Sequence, residues 1–350
     1  MSEKKQINSK ELANKLGVSR SVISKVVNNY PGVSNKTRKL VIDGIKKYNY
    51  VPNLSAQSLV KKTKGDTIGF FLLSRDENFS QSPLINSMIS YVAEAAERMS
   101  FHVLFYIVSN INDECSKSIK EVFSQRRVCG GIFIGFNDNE PIIEDLIKDK
   151  YPIGIYDHTV VDPCESNRFI ANFNDYDVTS NAVKYLYSLG HTDIAVFKGS
   201  QKRHAGVFRF KGANDTISNL GLKIRPECVI ESDFNEKAGY SSMVNFLQKN
   251  YILPSAIVAL NDNVAFGVIK ALKKFGYQVP EDISVIGIDG EPMGEYSDPS
   301  LTTYAFDFKE IMFDLTNKVI NCILGKSHVN DTNIYTQDSV LIERHSCKRK

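Results

Sequence analysis

Ser19, Arg20, Ser21, Ser24, Lys25 and Asn28 are short polar or cationic side chains gathered in one brief stretch near the N-terminus. On a helix, Arg20, Ser21, Ser24, Lys25 and Asn28 fall within an arc of about 140°, while Val22, Ile23, Val26 and Val27 fill the opposite arc. One face is then aliphatic and the other small, polar and cationic. Such a face fits a DNA major groove, where serines allow close approach and arginine or lysine reaches guanine or phosphate. An ordinary solvated surface helix is the plainer alternative. Catalytic signatures are missing: the chain contains no G-x-x-x-x-G-K, G-x-G-x-x-G, H-E-x-x-H or G-x-S-x-G. Six histidines show no i, i+4 pair, and six cysteines (115, 129, 164, 228, 322, 347) contain no C-x-x-C. The expectation is therefore no enzyme, no metal, no cofactor and no disulfide framework.

The elements that would position the cationic face are legible around it. Asn8 and Glu11 make a capping-box start. Leu12, Ala13 and Leu16 give a first apolar stripe, ended by Gly17, which tolerates positive φ. Ser19 caps a second helix running to about Asn28. Ser34 opens a third, with Val41, Ile42 and Ile45 on its buried face, ending near Tyr48-Asn49-Tyr50. Val51-Pro52 then forces an extended step. Asn53 can cap a very short helix, Leu54 to Val60, ahead of a polar linker at 61–66. That helix is too short to hold alone in water and should order only when docked, with Leu59 exposed on it.

Charge separates this segment from the rest. Residues 1–62 hold 13 Lys/Arg against Glu3, Glu11 and Asp43, a net of +10, while the other 288 residues carry −7. A basic head on an acidic body is the footprint of a protein that docks one end on a polyanion. A solubilising tail would lack the regular aliphatic spacing seen here. The 350 residues are 42% hydrophobic and 24% charged, ordinary for a folded protein of two or three compact units. No apolar run is long enough to cross a bilayer, and the N-terminus is polar, so a cytoplasmic location without membrane contact is expected.

From Thr67 onward strand-like runs (68–73, 103–107, 131–134, 153–156, 194–197, 256–259, 284–288) alternate with amphipathic stretches such as 84–99, 178–189 and 265–275. That order predicts α/β architecture, with parallel sheets flanked by helices. Two such sheets facing across a cleft would gather strand C-terminal ends, where open α/β sheets bind ligands, around one pocket. Leu84, Ile85, Met88, Ile89 and Val92 form an apolar face that suits a dimer surface or the core equally well.

The segment Glu11-Leu-Ala-Asn-Lys-Leu-Gly-Val-Ser-Arg-Ser-Val-Ile-Ser-Lys-Val-Val-Asn28 closely resembles the helix-turn-helix of the lactose-repressor (LacI/GalR) family of bacterial transcription regulators. Val33-Ser34-Asn-Lys-Thr37-Arg38 and Asn49-Tyr50-Val-Pro52-Asn53-Leu-Ser-Ala56-Gln-Ser-Leu59 continue it in register. In the body, Asp175-Tyr-Asp177, Arg209-Phe-Lys-Gly212, Asn261-Asp262 and Val279-Pro280 through Asp289 resemble further landmarks, so the likeness spans nearly the whole chain. It implies an all-α helix-turn-helix head (1–50), a hinge helix and linker (51–65), and a two-lobed periplasmic-binding-protein-like core (66–350). Within the core it implies a first lobe of about 66–160 and 305–328, and a second of about 161–304 and 329–350.

The resemblance also implies roles. Ser19, Arg20, Ser21, Ser24, Lys25, Asn28, Asn53, Ala56 and Leu59 would contact a near-palindromic duplex operator. Lys25 replaces the more usual arginine, so it offers a point charge rather than a bidentate fork. Leu59 stands where the family wedges a leucine into the minor groove, which requires a homodimer. The effector, commonly a sugar, would be met by Asp157, Arg209, Asn261, Asp262 and Asp289, with Phe234 at the aromatic position. Asp262 could instead cap the following helix, and Arg209 and Asp289 could form a cleft salt bridge without a ligand. Phe79 and Ser82 lie in a segment that departs from the family pattern. The implied function is a carbohydrate-responsive repressor, with a phosphorylated metabolite or protein corepressor as the alternative signal. Lys202-Arg203-His204 reads as a solvated loop, or else as a selector for an anionic effector.

Overall fold

The computed structural model describes residues 7–27, 30–48, 50, 65–73, 82–159, 165–326 and 334–350. The chain divides into two compact units, Met1–Gly65 and Asp66–Lys350. Asn28, Asn53, Ala56, Leu59 and Phe79, with the expected hinge helix, lie outside the described residues.

The first unit contains α1 (Ser9–Leu16), α2 (Arg20–Val27) and α3 (Asn35–Lys47). Its caps follow directly from the sequence. Asn8 Oδ1 accepts from the amides of Lys10 and Glu11 at 3.0 Å each, and the Asn8 amide donates back to Glu11 Oε2 at 3.0 Å. Gly17 takes the left-handed conformation that ends α1, at φ +64°. Ser19 Oγ accepts from Val22 N, and Ser34 Oγ from Thr37 N. Leu12, Ala13, Ile23, Val26 and Val41 form the core. Ile42 is exposed, contrary to expectation. Its place is taken by Gly44, where a Cβ would lie 2.7 Å from Leu16 Cδ2, so α3 meets α1 through backbone and not through a second isoleucine.

The second unit holds two six-stranded sheets. The first contains β1 (Thr67–Leu73), β2 (His102–Val108), β3 (Gly131–Ile134), β4 (Ile153–Tyr156), β5 (Arg168–Phe173) and β11 (Ile334–Gln337), in the order β11-β5-β4-β3-β1-β2 and parallel throughout. The second contains β6 (Ile194–Lys198), β7 (Val229–Glu231), β8 (Ala256–Val258), β9 (Ser284–Asp289), β10 (Thr302–Ala305) and β12 (Val340–Ile342), in the order β12-β10-β9-β8-β6-β7. Only β12 runs antiparallel to its neighbour. The strands are nearly all-apolar because helices cover both faces. Flanking the first sheet are α4 (Pro83–Arg98), α5 (Asp113–Ser124), α6 (Pro141–Lys148) and α12 (Phe308–Leu324). Flanking the second are α7 (Asp175–Ser188), α8 (His204–Asn219), α9 (Glu236–Gln248) and α10 (Asp262–Lys274), with the short α11 (Met293–Tyr296) after β9.

The expected lobe boundaries need correction. Residues 168–173 and 334–337 belong to the first sheet, as β5 beside β4 and β11 beside β5. Buried Arg168 and Asn172 interrupt the apolar run of β5, which hid it from a search for strand-like runs. Met88 and Val92 of α4 pack into the core, and Leu84, Ile85 and Ile89 against it, so this face is core-facing.

Three segments pass between the lobes, after β5, after β10 and after β11. They are bonded to one another. Asn174 N donates to Gln337 O at 2.9 Å, and Asp307 N to Gln337 Oε1 at 2.8 Å. Phe173 and Phe306 stack with centroids 3.8 Å apart. The joint is therefore short and cross-linked, and the buried core runs through it from one lobe to the other.

Candidate DNA-reading face and interlobe ligand site

On α2 the predicted division of faces is present. Ile23 and Val26 are buried, Arg20, Ser21 and Lys25 are exposed, and Ser24 is half-buried. Ser19 is exposed, but its hydroxyl serves as the cap and meets Ser21 Oγ at 2.7 Å. Arg38 Nη2 donates to Tyr30 O at 2.8 Å, tying α3 to the turn after α2. Lys15 and Lys47 lie over the Tyr48 ring at 5.2 and 5.5 Å. A polar, cationic helix face on a small rigid bundle can enter a groove and donate to base edges and phosphates.

In the second unit the candidate ligand residues Phe234, Asn261 and Asp289 sit at or just after strands of the second sheet, whose order reverses between β6 and β8, while Asp157 follows β4 of the first sheet and Arg209 lies on α8. Asp157 follows β4 with φ +62°. Its loop is pinned by Asn172, whose Oδ1 accepts from His158 N and whose Nδ2 donates to His158 O. The Asp157 carboxylate reaches the other lobe: Oδ1 accepts from Ala205 N at 2.7 Å, and Oδ2 accepts from Arg203 Nη2. The Arg203 guanidinium also lies 4.8 Å over the Phe234 ring, so it fills the space between Asp157 and Phe234. Lys202 alone of the basic trio is exposed, which corrects the solvated-loop reading.

Arg209 is the centre of a second cluster and is 4% exposed. Its Nε donates to Asp175 Oδ1 at 2.6 Å, Nη2 to Asp289 Oδ1 at 3.0 Å and Nη1 to Leu260 O at 2.8 Å. All three donating groups are thus committed, and the fork is fixed. Burial raises the pKa of Asp175, and pushes Asp289 up to about 6, with Arg209 opposing in both cases. Arg209 faces two carboxylates, so the cluster carries excess negative charge when both are ionised.

The remaining predicted residues serve the scaffold. Asn261 caps α10 through Val264 N at 2.9 Å and donates to Phe234 O at 3.1 Å, so it sets the aromatic loop. Asp262 does not cap α10. Fully buried, it accepts from Thr303 Oγ1 and Glu291 N at 2.6 Å each, and burial holds its pKa well above the usual carboxylate range. Gly287 makes room for it, since a Cβ there would strike Asp262 Oδ1. Both Asp262 oxygens are therefore taken up, one by Thr303 within β10 and one by the Glu291 amide after β9. Ser82 caps α4 through Ile85 N at 3.4 Å.

Sequence reasoning missed Asp175, Arg203 and Glu291 as site residues. Asp175 stood out as a landmark and Arg203 within a basic run. Only the fold places them against Arg209 and Asp157.

A helix-turn-helix bundle and a two-lobed core with a polar interlobe cluster define a DNA-binding regulator with a ligand-binding domain. Residues 9–53 match the family model for bacterial regulatory proteins of the lacI family, and residues 183–347 that for a periplasmic binding protein-like domain. The HTH-type transcriptional repressor PurR of Pasteurella multocida is 32% identical over 84% of this chain and 85% of its own. The HTH-type transcriptional regulator DegA of Bacillus subtilis is 29% identical over 86% and 87%. A lac repressor dimer bound to operator and the anti-inducer ONPF superposes with a TM-score of 0.82, at 24% identity over 98% of this chain and 100% of that one. The chain belongs to the lacI family of bacterial transcriptional regulators.

Proposed function

We propose that the chain is a homodimeric repressor of a carbohydrate-utilisation operon that binds a near-palindromic operator, its affinity set by a sugar held between the lobes. The observation that carries the ligand class is that one side chain, Arg203, bridges the Asp157 carboxylate and the Phe234 ring, with Asp289 held by Arg209 at the end of β9. A carboxylate accepts two hydroxyl hydrogen bonds, and an aromatic ring covers the apolar side of a sugar. Ligand hydroxyls must then replace Arg203 on Asp157. That exchange breaks one of the contacts joining the first lobe to the start of α8, beside the Ala205 amide that still reaches Asp157 Oδ1, so ligand binding and lobe angle are coupled, and operator and effector affinities change reciprocally.

Dimerisation is supported by β2, an edge strand on which Leu104, Phe105 and Ile107 are 39%, 46% and 55% exposed. An exposed apolar edge of this kind is a pairing surface. The exposed Arg20, Ser21 and Lys25 support operator reading. Among the residues outside the described set, Asn28, Asn53, Ala56 and Leu59 complete the proposed DNA contacts.

The second reading keeps the DNA-binding dimer and makes the signal a phosphorylated metabolite or protein corepressor. It is favoured by Arg203, whose buried Nε has no partner among the described residues, at the N-terminal end of α8 where anions are stabilised. Operator affinity measured with free sugars and with their phosphates decides between the two. Release by a free sugar supports the first reading, and tightening by the phosphate alone supports the second.

A further inference from the structure

A cavity of about 410 Å³ opens beside the Arg209 cluster, lined by Leu84 and Tyr91 of α4, Phe306 just after β10, Phe308 and Lys309 at the start of α12, and Glu291 after β9. It shares Asp289 with the cluster, but Asp157, Arg209, Phe234, Asn261 and Asp262 are not in its wall. Its volume falls in the range that holds small organic molecules.

Glu291 is the unexplained group in this wall. It is 3% exposed, and its backbone amide is spent on Asp262. Its Oε1 accepts one bond, from Asn263 Nδ2 at 3.2 Å. Its Oε2 is buried with no hydrogen-bond partner among the described residues. Leaving a buried carboxylate oxygen unmatched is costly, so the carboxyl, its pKa pushed up to about 7 by burial, either keeps its proton or ionises against a donor supplied by something bound there. The nearby cations are engaged elsewhere: Arg209 by Asp175 and Asp289, and Lys309 by Glu94 at 3.2 Å. Asp289, Glu291 and Asp307 give the wall three carboxylates to one lysine. Aromatic rings next to an unmatched carboxylate favour a cation bearing N–H donors, through charge-assisted hydrogen bonding and ring quadrupoles.

We propose that this cavity binds a small organic ammonium ion, its N–H donating to Glu291 among Tyr91, Phe306 and Phe308, as a compartment separate from the one between Asp157 and Phe234. The proposal does not rest on the sugar reading. An occupant here would touch α4 of the first lobe, the α12 start and the turn after β9 of the second, so it would act on the same joint.

The test uses the full chain, with benzylamine as probe and benzyl alcohol as its neutral counterpart, by thermal shift and titration calorimetry at pH 8. Benzylamine should bind at least tenfold more tightly than the alcohol. Glu291→Gln should lose tenfold or more, and Ser87→Trp, which fills the cavity without altering Glu291, should abolish binding. Because either variant could perturb folding, their unfolding transitions are compared with wild type, and a pH series on the wild-type chain gives an independent reading. Amine affinity should fall as Glu291 protonates. Equal binding of amine and alcohol, no amine binding at millimolar concentration, or binding indifferent to pH and to Glu291→Gln would each overturn the proposal. A stabilising sugar that binds additively with the amine supports two compartments. Mutual exclusion would place the amine in the sugar site and overturn the separation, while sugar binding without amine binding leaves the effector reading intact and removes this one.

Discussion

Asp157, at the end of a strand in the first sheet, and Arg203, one residue before a helix of the second lobe, form an ion pair across the cleft. The same guanidinium covers the Phe234 ring, so one side chain occupies the carboxylate and the aromatic surface that the sugar reading needs. Replacing Arg203 with alanine should therefore tighten a neutral sugar by roughly tenfold, since a charge-assisted bond no longer has to be exchanged. The same change should remove any preference for a phosphosugar. Calorimetry on both ligands checks this; weaker sugar binding would show that Arg203 grips the ligand instead of standing in its place.

Arg209 is a different case, because its charge is buried. Arg209→Met would leave Asp175 and Asp289 without their cation, and removing one partner of a buried pair typically costs about 3–5 kcal/mol. Urea unfolding of the variant should show a loss of that order near neutral pH. The loss should shrink in acid, as both carboxylates protonate. A loss below about 1 kcal/mol would mean that the cluster is open to water.

The DNA-reading end of the molecule was the most legible part of the sequence, because caps and helical periodicity are local. Asn8, Gly17, Ser19 and Ser34 act where their spacing placed them. The failures arose where tertiary contact decides. Ile42 gave way to Gly44 because α1 approaches α3 through backbone. Strand β5 escaped notice because its buried Arg168 and Asn172 break the apolar run. Asp262 looked like a ligand contact or a helix cap, yet a turn 29 residues later in sequence takes its carboxylate. Arg203 read as solvated because nothing local reveals that Asp157 waits across the cleft.

Acid titration gives a third prediction. Burial, with Asp289 adding to it, pushes Glu291 up to about 7 from its ordinary 4.5, and Asp262 beside it is also raised. A carboxyl whose folded pKa is raised stabilises the fold fully below its unfolded pKa and loses that contribution as pH rises through the folded one. Stability should therefore decline between about pH 4.5 and 7 through Glu291. Glu291→Gln should flatten this decline and be more stable than wild type at pH 8, by up to roughly 3 kcal/mol. Asn263 and Asp289 act on the group and remain in the variant. Parallel pH–stability curves for the two proteins would contradict the assignment.

The exposed edge strand predicts assembly. Phe105→Asp places a charge in the apolar row of Leu104, Phe105 and Ile107, and should convert a dimer to monomer at micromolar concentration in sedimentation velocity. Its operator affinity should fall in parallel, since two half-sites would no longer be gripped together. A monomeric wild-type chain, or a variant that stays dimeric, would move the interface elsewhere.

The central claim is that α2 reads duplex DNA through Arg20 and Lys25. Its most direct test is selection of binding sites from a random duplex pool with the full chain, followed by titration of the enriched duplex with wild type, Arg20→Ala and Lys25→Ala. A two-fold-symmetric site should emerge, each substitution should weaken it by about 1–3 kcal/mol, and each should relax the base preference at one position in both half-sites. Enrichment of no site, or an enriched site bound equally by all three proteins, would contradict it.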